Sequence, residues 1–556
     1  MKYIQSTTLP AFLAGLCVCT AAGGASTTFA AGVEPLDISL TPIGRFTNGP
    51  PFNLSASEIV AHDPATQRIF VVNGRDKRID VLDIHDPANP SKIGMLDLSG
   101  YGAVVNSVAT HEGLVAIAVE ANVKTDLGTL VLVDADLNTI NAIQTGALPD
   151  MVTFSPDGRW ILVANEAEPN TYNNFGSETN GPSIDPEGSI TIVDLSTGTA
   201  TPTVRTATFT AFNGATLDPS IRIYGPNATV AQDLEPEYIA VSADSTTAWV
   251  TLQENNALAI VDIASGVVTD LIGLGFKDHS LPGFGLDASD QDGANNIQPW
   301  PIKGMYLPDA IAAYQFHGQT YLVTANEGDT REWPGFREDV RLSTLTLDAT
   351  VFPNGADLKR TNNLGRLSVS SVDGDVDHDG DLDVIYSYGG RSFSIWTAAG
   401  EQVFDSGDQL EQLTAAVFPT RFNASHGNNT RDNRSTSKGP EPEGVTIGKA
   451  FGRTLAFITL ERIGGVVVYD ISNPFEPALV DYVNTRTFAN PFNFATGGDL
   501  GPEGVIFIEA DNSPNGKPLV VAAHEISGST VLYQVNKRAF KRAPKLTLDN
   551  ASVLLE

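Results

Sequence analysis

The chain has 556 residues, with 34 Lys and Arg against 66 Asp and Glu and a formal net charge of −32. That length suffices for one large domain or several smaller ones, and the charge repels phosphate backbones and attracts cations, which argues against nucleic acid as a partner. Much of it is ordinary solvated surface, so the placement of the acids carries more information than their sum.

The N-terminal stretch MKYIQSTTLPAFLAGLCVCTAAGGASTTFAAGVEP has Lys2, an apolar run from Leu9 to about Ala22, and small residues at TFAA. This is the order of a secretory signal peptide, so residues 1–30 are expected to be removed by cleavage near Ala30 or Ala31. The run is too short for a membrane span and no later stretch is long enough, so no span is expected. Both cysteines, Cys17 and Cys19, fall in this run. Neither follows the small residue that a lipoprotein site wants. An exported chain without disulfides must be held by its core and by any metal ions it binds.

Residues 31–540 read as one β-propeller domain built from a repeat that insertions obscure. The unit EPEYIAVSADSTTAWVTLQENNALAIVDI, from Glu235, reads as a strand, a turn, a second strand, a short loop and a third strand. Related units begin at Ser57, Asn106, Pro149, Pro308, Leu367, Pro442 and Pro502, which makes eight. Short strands, turn residues and few helical periods predict an all-β propeller of seven or eight blades, the rival count being seven blades plus an irregular module. LDISLTPIGRF, from Leu36, is placed to supply the outer strand that closes the ring. The Gly/Asn/Ser-rich stretches 170–185, 275–300 and 421–440 read as loops, and 541–556 as a C-terminal tail.

In a propeller blade the first strand and the next are antiparallel, so the start of the first and the end of the second emerge on one face. Strand starts carry Glu58, Asp150, Glu237, Asp309, Glu443 and Glu503; strand ends carry Glu120, Glu166, Glu254, Glu327, Glu461 and Glu525. Twelve carboxylates are thus expected to crown one mouth of the central channel, where mutual repulsion raises their pKa values unless cations intervene. Oxygen-only ligands suit hard divalent ions, calcium first, whereas zinc would want His and Cys clusters. The competing reading is that these acids accept hydrogen bonds from loop N–H groups and only brace the blades.

The sharpest motif is DVDHDGDLD, with Asp375, Asp377, Asp379, Asp381 and Asp383 at alternating positions and Gly380 at the bend. Alternate side chains can turn inward around one calcium ion. The twelfth position, where an EF-hand has Glu, is Tyr386, so this is an abbreviated loop. Read as the connection between the first and second strands of its blade, it is expected opposite the crown, with a structural ion. One segment breaks the acidic rule: TRFNASHGNNTRDNRSTSK carries Arg421, His426, Arg431, Arg434 and Lys438 just before GPEPEGV. Folded over the crown, it could hold an anionic group through Arg contacts; otherwise it is a surface loop. Arg331, Arg391 and Arg462 follow second strands and could reach the same face. His524 is a candidate acid or base, with core packing the competing role. GxSxG, HExxH, P-loop and cysteine-nucleophile patterns are missing.

ALPDMVTFSPDGRWILVANEAEP, LPDAIAAY, YLVTANEGDTRE, DGDLDVIYSYGGRSFSIW, GPEPEGV and ITLERIGGVVVYDISNP together resemble the choice-of-anchor I family, over roughly residues 40–537. That family is similar to the mesenchyme-specific cell-surface glycoproteins of echinoderm skeletons. The resemblance implies an exported propeller with variable C-terminal anchoring, although KRAPKLTLDNASVLLE offers no hydrophobic anchor. Some members are labelled alkaline phosphatase, and the PEG segments resemble phytase-like propellers, in which calcium on an acidic face binds phosphate; no catalytic residue carries over. Two functions follow as expectations. The first is an exported calcium-binding protein of surface or matrix type, without turnover, whose partners are metal ions and phosphate-containing molecules or a mineral surface. The second is a metal-dependent phosphoester hydrolase, with ions, calcium or iron, on Glu237, Asp309, Glu443 and Glu503, and Arg431 or Arg434 steadying the phosphoryl oxygens.

Overall fold

Seven four-stranded antiparallel sheets follow one another through residues 38–172 and 183–537, which are the residues described by this computed structural model. The expected signal peptide at 1–30 and tail at 541–556 lie outside them. Blade four sets the pattern with Pro236–Val241, Thr247–Leu252, Ala257–Asp262 and Val267–Gly273, innermost strand first. Its middle strands are buried along most of their length because both faces lie against neighbouring blades, so they read as continuous apolar runs. Outer strands are half exposed and alternate, as in Ser91–Asp97 of blade one.

The core accordingly lies in layers between blades. Trp160, Leu162 and Ile192 of blade three meet Ala248, Val250 and Ala259 of blade four. Phe70 and Val81 of blade one meet Ile117 and Val131 of blade two. The inner strands pack one against the next around the ring, including Val60–Asp63 of blade one against Pro502–Ile508 of blade seven. Ile38–Thr47 pairs antiparallel with Ser529–Lys537 from Ile38↔Lys537 to Thr47↔Ser529, so the first strand completes the last blade, as LDISLTPIGRF predicts. This closure leaves no gap in the ring through which strand edges could pair with other chains.

The eighth sequence unit is not a blade. Blade five has Ile311–Phe316, Gln319–Asn326, Ser392–Thr397 and Gln402–Asp405, and residues 327–391 are inserted between its second and third strands. SFSIW, taken with the unit from Leu367, is that third strand. The insertion joins the linker before blade five in a five-stranded sheet ordered Phe276–Asp278, Lys303–Met305, Tyr386–Tyr388, Ser368–Ser370, Asp339–Arg341. One of its pairings, Lys303–Met305 with Tyr386–Tyr388, is parallel, unlike any within a blade. Leu286, Trp300, Leu342, Leu364 and Ile385 give this module its own core. The ring therefore has seven blades plus an irregular module.

Connections between second and third strands, and between one blade and the next, open on the crown face. Among the described residues the long ones are all there: 209–235, 274–310, 327–391, 406–441 and 484–501. On the other face none of the described connections exceeds 509–518. The aspartate loop, being part of the 327–391 insertion, emerges on the crown face, which corrects its expected place on the opposite one. Among the described residues no helix is long and apolar enough to cross a membrane.

Candidate metal centre

The acids at strand starts are aimed by β-bulges. In blade four Pro236 pairs with Leu252 and pairing resumes at Ile239↔Val250, so Glu237 and Tyr238 together oppose Thr251. The same shift follows Pro149, Pro442 and Pro502 and contains Asp150, Glu443 and Glu503. A bulge turns its extra residue out of the ladder, here toward the channel mouth, and proline tolerates the first strand position because it has no N–H to pair. Thr251 and Thr459 catch the freed N–H groups, their Oγ1 atoms accepting from Tyr238 N and Gly444 N, both at 2.8 Å. The glycine of PEG has its own cause: a Cβ on Gly444 would lie 2.4 Å from Glu503 O, because the next inner strand passes there. Blade two seats Asn106 in the equivalent bulge, a position that an acid-only search misses; its Nδ2 donates to Pro149 O at 3.1 Å.

A cavity of about 320 Å³ is lined by nine of the twelve expected carboxylates: Asp150, Glu166, Glu237, Glu254, Asp309, Glu327, Glu443, Glu461 and Glu503. Glu58 lines a smaller recess of about 60 Å³ with Asn106, Asp150, Asp309 and Glu503, next to Tyr238. Glu525 lies beside Glu461 and accepts from Ser55 Oγ at 3.3 Å, while Glu120 lines neither space. Glu168, Asp329, Gln253, Lys438 and Arg462 also line the main cavity. Glu168 and Asp329 had a readable signal, since NEAE and NEGD place a second acid two residues after Glu166 and Glu327.

Burial first, and neighbouring carboxylates second, push these groups up. Glu58 rises to about 8, beside Glu525 and Asp150. Asp150 rises to about 6 and Glu525 to about 7. Glu166, Glu237, Glu254, Asp309, Glu443 and Glu503 lie well above the carboxylate range. Glu58 Oε2, Glu254 Oε2 and Glu443 Oε2 are buried without any hydrogen-bond partner, contrary to the reading in which loop N–H groups brace every acid. One ligand oxygen from each of Glu327, Glu443 and Glu461 lies within 4.8 Å of the others; His426, Glu461 and Glu525 form a second such group, with Glu461 common to both. Within the first group Glu327 accepts from Gln253 Nε2 at 2.8 Å and is paired with Lys438, and Glu461 is paired with Arg462, so Glu443 carries the one oxygen without a donor. Its oxygen-only donor set, and the single nitrogen of the second group, are of the kinds that divalent cations take.

The basic segment is anchored rather than loose. Lys438 Nζ is paired with Glu327 and lies 3.6 Å from Asp329 and 3.5 Å from Glu441. Arg462 reaches Glu461 and Glu441, both at 2.8 Å. Burial alone would raise Glu441, yet Arg434, Arg462 and Lys438 hold it far below the usual range. Of the four expected anion ligands, Lys438 lines the cavity and His426 stands beside it, its Nδ1 3.1 Å from Glu461 Oε1. Arg434 is committed to Glu441 and Arg431 to Asp432 at 3.0 Å, so neither lines the cavity. Arg421 donates to Asn429 O at 2.8 Å. Arg462 reaches the crown as expected, but Arg331 is buried against Asp233 and Glu235, and Arg391 against Glu411. His524 is buried away from the cavity and burial lowers its pKa, which fits core packing.

In the aspartate loop, ligand oxygens of Asp375, Asp377 and Asp383 lie within 4.8 Å of one another. Asp379 N and Gly380 N donate to the two oxygens of Asp375, both at 3.1 Å, and Gly380 takes φ +101° at the bend. Asp379 and Asp381 stand outside that group of three, although Asp381 Oδ1 is buried without a partner.

Residues 58–474 match the choice-of-anchor I domain. The chain belongs to the choice-of-anchor I family. Among its relatives, Gigasin-3a of Magallana gigas is 32% identical over 208 residues, 34% of this chain and 73% of that protein. The mesenchyme-specific cell surface glycoprotein of Strongylocentrotus purpuratus is 28% identical over 283 residues, 45% of this chain and 36% of that protein. Among solved structures, Kuenenia stuttgartiensis hydrazine synthase aligns over 88% of this chain and 99% of its own, with a TM-score of 0.45 and 13% identity.

Proposed function

We propose that this choice-of-anchor I protein is an exported, calcium-loaded propeller whose crown holds divalent cations and, through them, phosphate-bearing molecules or a mineral surface, without turnover. The observation that carries the reading is the convergence of Glu327, Glu443 and Glu461 at a buried point where Glu443 Oε2 has no protein partner. A carboxylate there is either protonated or bound to a cation, and a shared Glu461 suits two adjacent ions. Export is supported by the N-terminal sequence pattern and by the cell-surface description of one relative.

A second reading, a metal-dependent phosphoester hydrolase, is favoured by Lys438 and Arg462 in a wall of the same cavity. When bound, divalent ions would supply the charge neutralisation that phosphoryl transfer needs, while Lys438 and Arg462 would orient the anion. One experiment tests both. Protein stripped by chelator is titrated with calcium by calorimetry, then assayed on a generic phosphomonoester with and without calcium, alongside Glu443→Gln. Saturable uptake weakened in the variant, with no hydrolysis, supports the binding reading. Calcium-dependent hydrolysis lost in the folded variant supports the enzyme. No uptake by the parent protein refutes both.

A further inference from the structure

Two segments on the crown side meet at a seam away from the cavity. One is DASDQDGANN, residues 287–296, in the linker between blades four and five; the other follows the helix Gln409–Val417 and runs from Pro419 to Ser435. Asn295 Nδ2 donates to Pro419 O at 3.0 Å, Asp287 N to Glu411 Oε2 at 2.9 Å, and Asn423 Nδ2 to Glu411 Oε1 at 3.0 Å. Asp432 lies in the electrostatic field of Asp292 and Asp290, and Asp287 in that of Asp432.

Four side-chain oxygens of these segments are buried with no hydrogen-bond donor: Asp292 Oδ2, Asn295 Oδ1, Asn423 Oδ1 and Asp432 Oδ1. Asp432 is 2% exposed and Asn423 fully buried. The other half of each group is committed. Asp292 Oδ1 accepts from Ala294 N at 3.0 Å, the two amide nitrogens donate as above, and Asp432 Oδ2 accepts from Arg431 Nε at 3.0 Å. Flipping either amide would break those bonds, so the bare oxygens follow from the fold. Asp290 does not compete for the seam, being tied by both its oxygens to Arg366 at 2.5 and 2.8 Å. Leaving one such group unsatisfied carries a penalty, larger if it is charged, so buried acceptors without donors on both of two segments joined by the Asn295–Pro419 bond point to a missing partner.

We propose that this seam is a cation site distinct from the crown and from the aspartate loop, in which Asp292, Asn295 and Asp432, with Asn423 beside them, coordinate a hard divalent ion. Carboxylate and amide oxygens without nitrogen or sulfur are the donor set of calcium, and Asp292 adds a negative charge to that of Asp432, which Arg431 offsets from its other oxygen. The ion would fasten the linker to the segment that delivers Lys438 and Glu441 to the crown. The inference does not rest on the crown binding metal.

Full-length parent, Asp292→Asn and Asp432→Asn proteins are stripped and their calcium stoichiometry is measured by equilibrium dialysis, with far-UV circular dichroism as the folding check and Asp375→Asn for comparison. Each seam variant is expected to bind one ion fewer than the parent, and Asp292→Asn combined with Asp375→Asn two fewer. Asp292 is only half-buried, so its variant decides the matter should Asp432→Asn fail to fold. A folded Asp292→Asn protein that binds as many ions as the parent overturns the site, as does a folded parent that binds none. An unchanged stoichiometry in Glu443→Gln would count against the crown while leaving the seam standing.

Discussion

Removing divalent ions should make this protein less stable as pH rises, and Glu58 sets the scale. Its carboxyl moves from 4.5 to about 8 through burial and the charges of Glu525 and Asp150. The folded, stripped protein therefore keeps a proton that the unfolded chain has released between these values. Because the folded-state pKa is raised, the favourable contribution is complete below about pH 4.5 and is lost as pH climbs through about 8. At 1.36 kcal/mol per pKa unit, Glu58 alone accounts for on the order of 4 kcal/mol across that window. With about 2.1 cal/mol/K of unfolding entropy per residue over a domain of roughly 500 residues, 1 kcal/mol is worth about 1 °C, so Glu58 should shift Tm by roughly 4 °C. Asp150, Glu327 and Glu525, raised to about 6, 7 and 7, add to the slope in the same direction. The assay is calorimetric melting in chelator at pH 5, 6.5 and 8, with and without excess calcium, on the parent and on Glu58→Gln. Tm in chelator should fall toward pH 8, calcium should restore it most there, and the neutral isostere should flatten part of the slope. A chelator curve level with pH, or a Glu58→Gln slope equal to the parent's, would refute the reasoning.

Asp375→Asn should remove one calcium-binding event per chain, read by dialysis, while the chain stays folded, since the loop is exposed and outside the blade cores. Arg331→Met should destabilise by about 3–5 kcal/mol in denaturant melts, because Asp233 and Glu235 would be left buried and unpaired. Deleting residues 38–47 should expose the edge of Ser529–Lys537 and yield aggregating or opened protein by size-exclusion chromatography, whereas deleting residues 1–30 should leave the elution profile of the folded protein unchanged.

The ring was legible because each blade buries both faces of its middle strands, so LVAIAVE and WILVAN announce themselves as strands without help from alternation. The crown followed from strand direction alone, which is why Asp150 and Glu166, sixteen positions apart, face one cavity. The eighth unit was misread because strand-like runs and turn residues say nothing about partners; only the pairing of Asn326 with Ser392 reveals 327–391 as an insertion. That error also put the aspartate loop on the wrong face. The basic segment failed for a different reason. Its turns send Lys438 into the cavity and Arg431 to Asp432, and no periodicity fixes the direction of a side chain in a run of turns.

Glu441 and Glu443 supply an internal comparison for the metal reading. They are two residues apart, both buried, and flank the same Pro442. Around Glu441 the chain gathers Arg434, Arg462 and Lys438, and the acid stays ionised with its charge met by protein. Around Glu443 it gathers Glu327, Glu503, Asp309 and Glu461, and one oxygen has no partner of any kind. Burial is common to both sites, so burial does not explain the difference; the choice of neighbours does. A fold able to place three cationic side chains around one acid could have done so at the next, two residues along. Surrounding that second acid with four more carboxylates instead, beneath the longest loops of the molecule, makes sense when the positive charge arrives from solution.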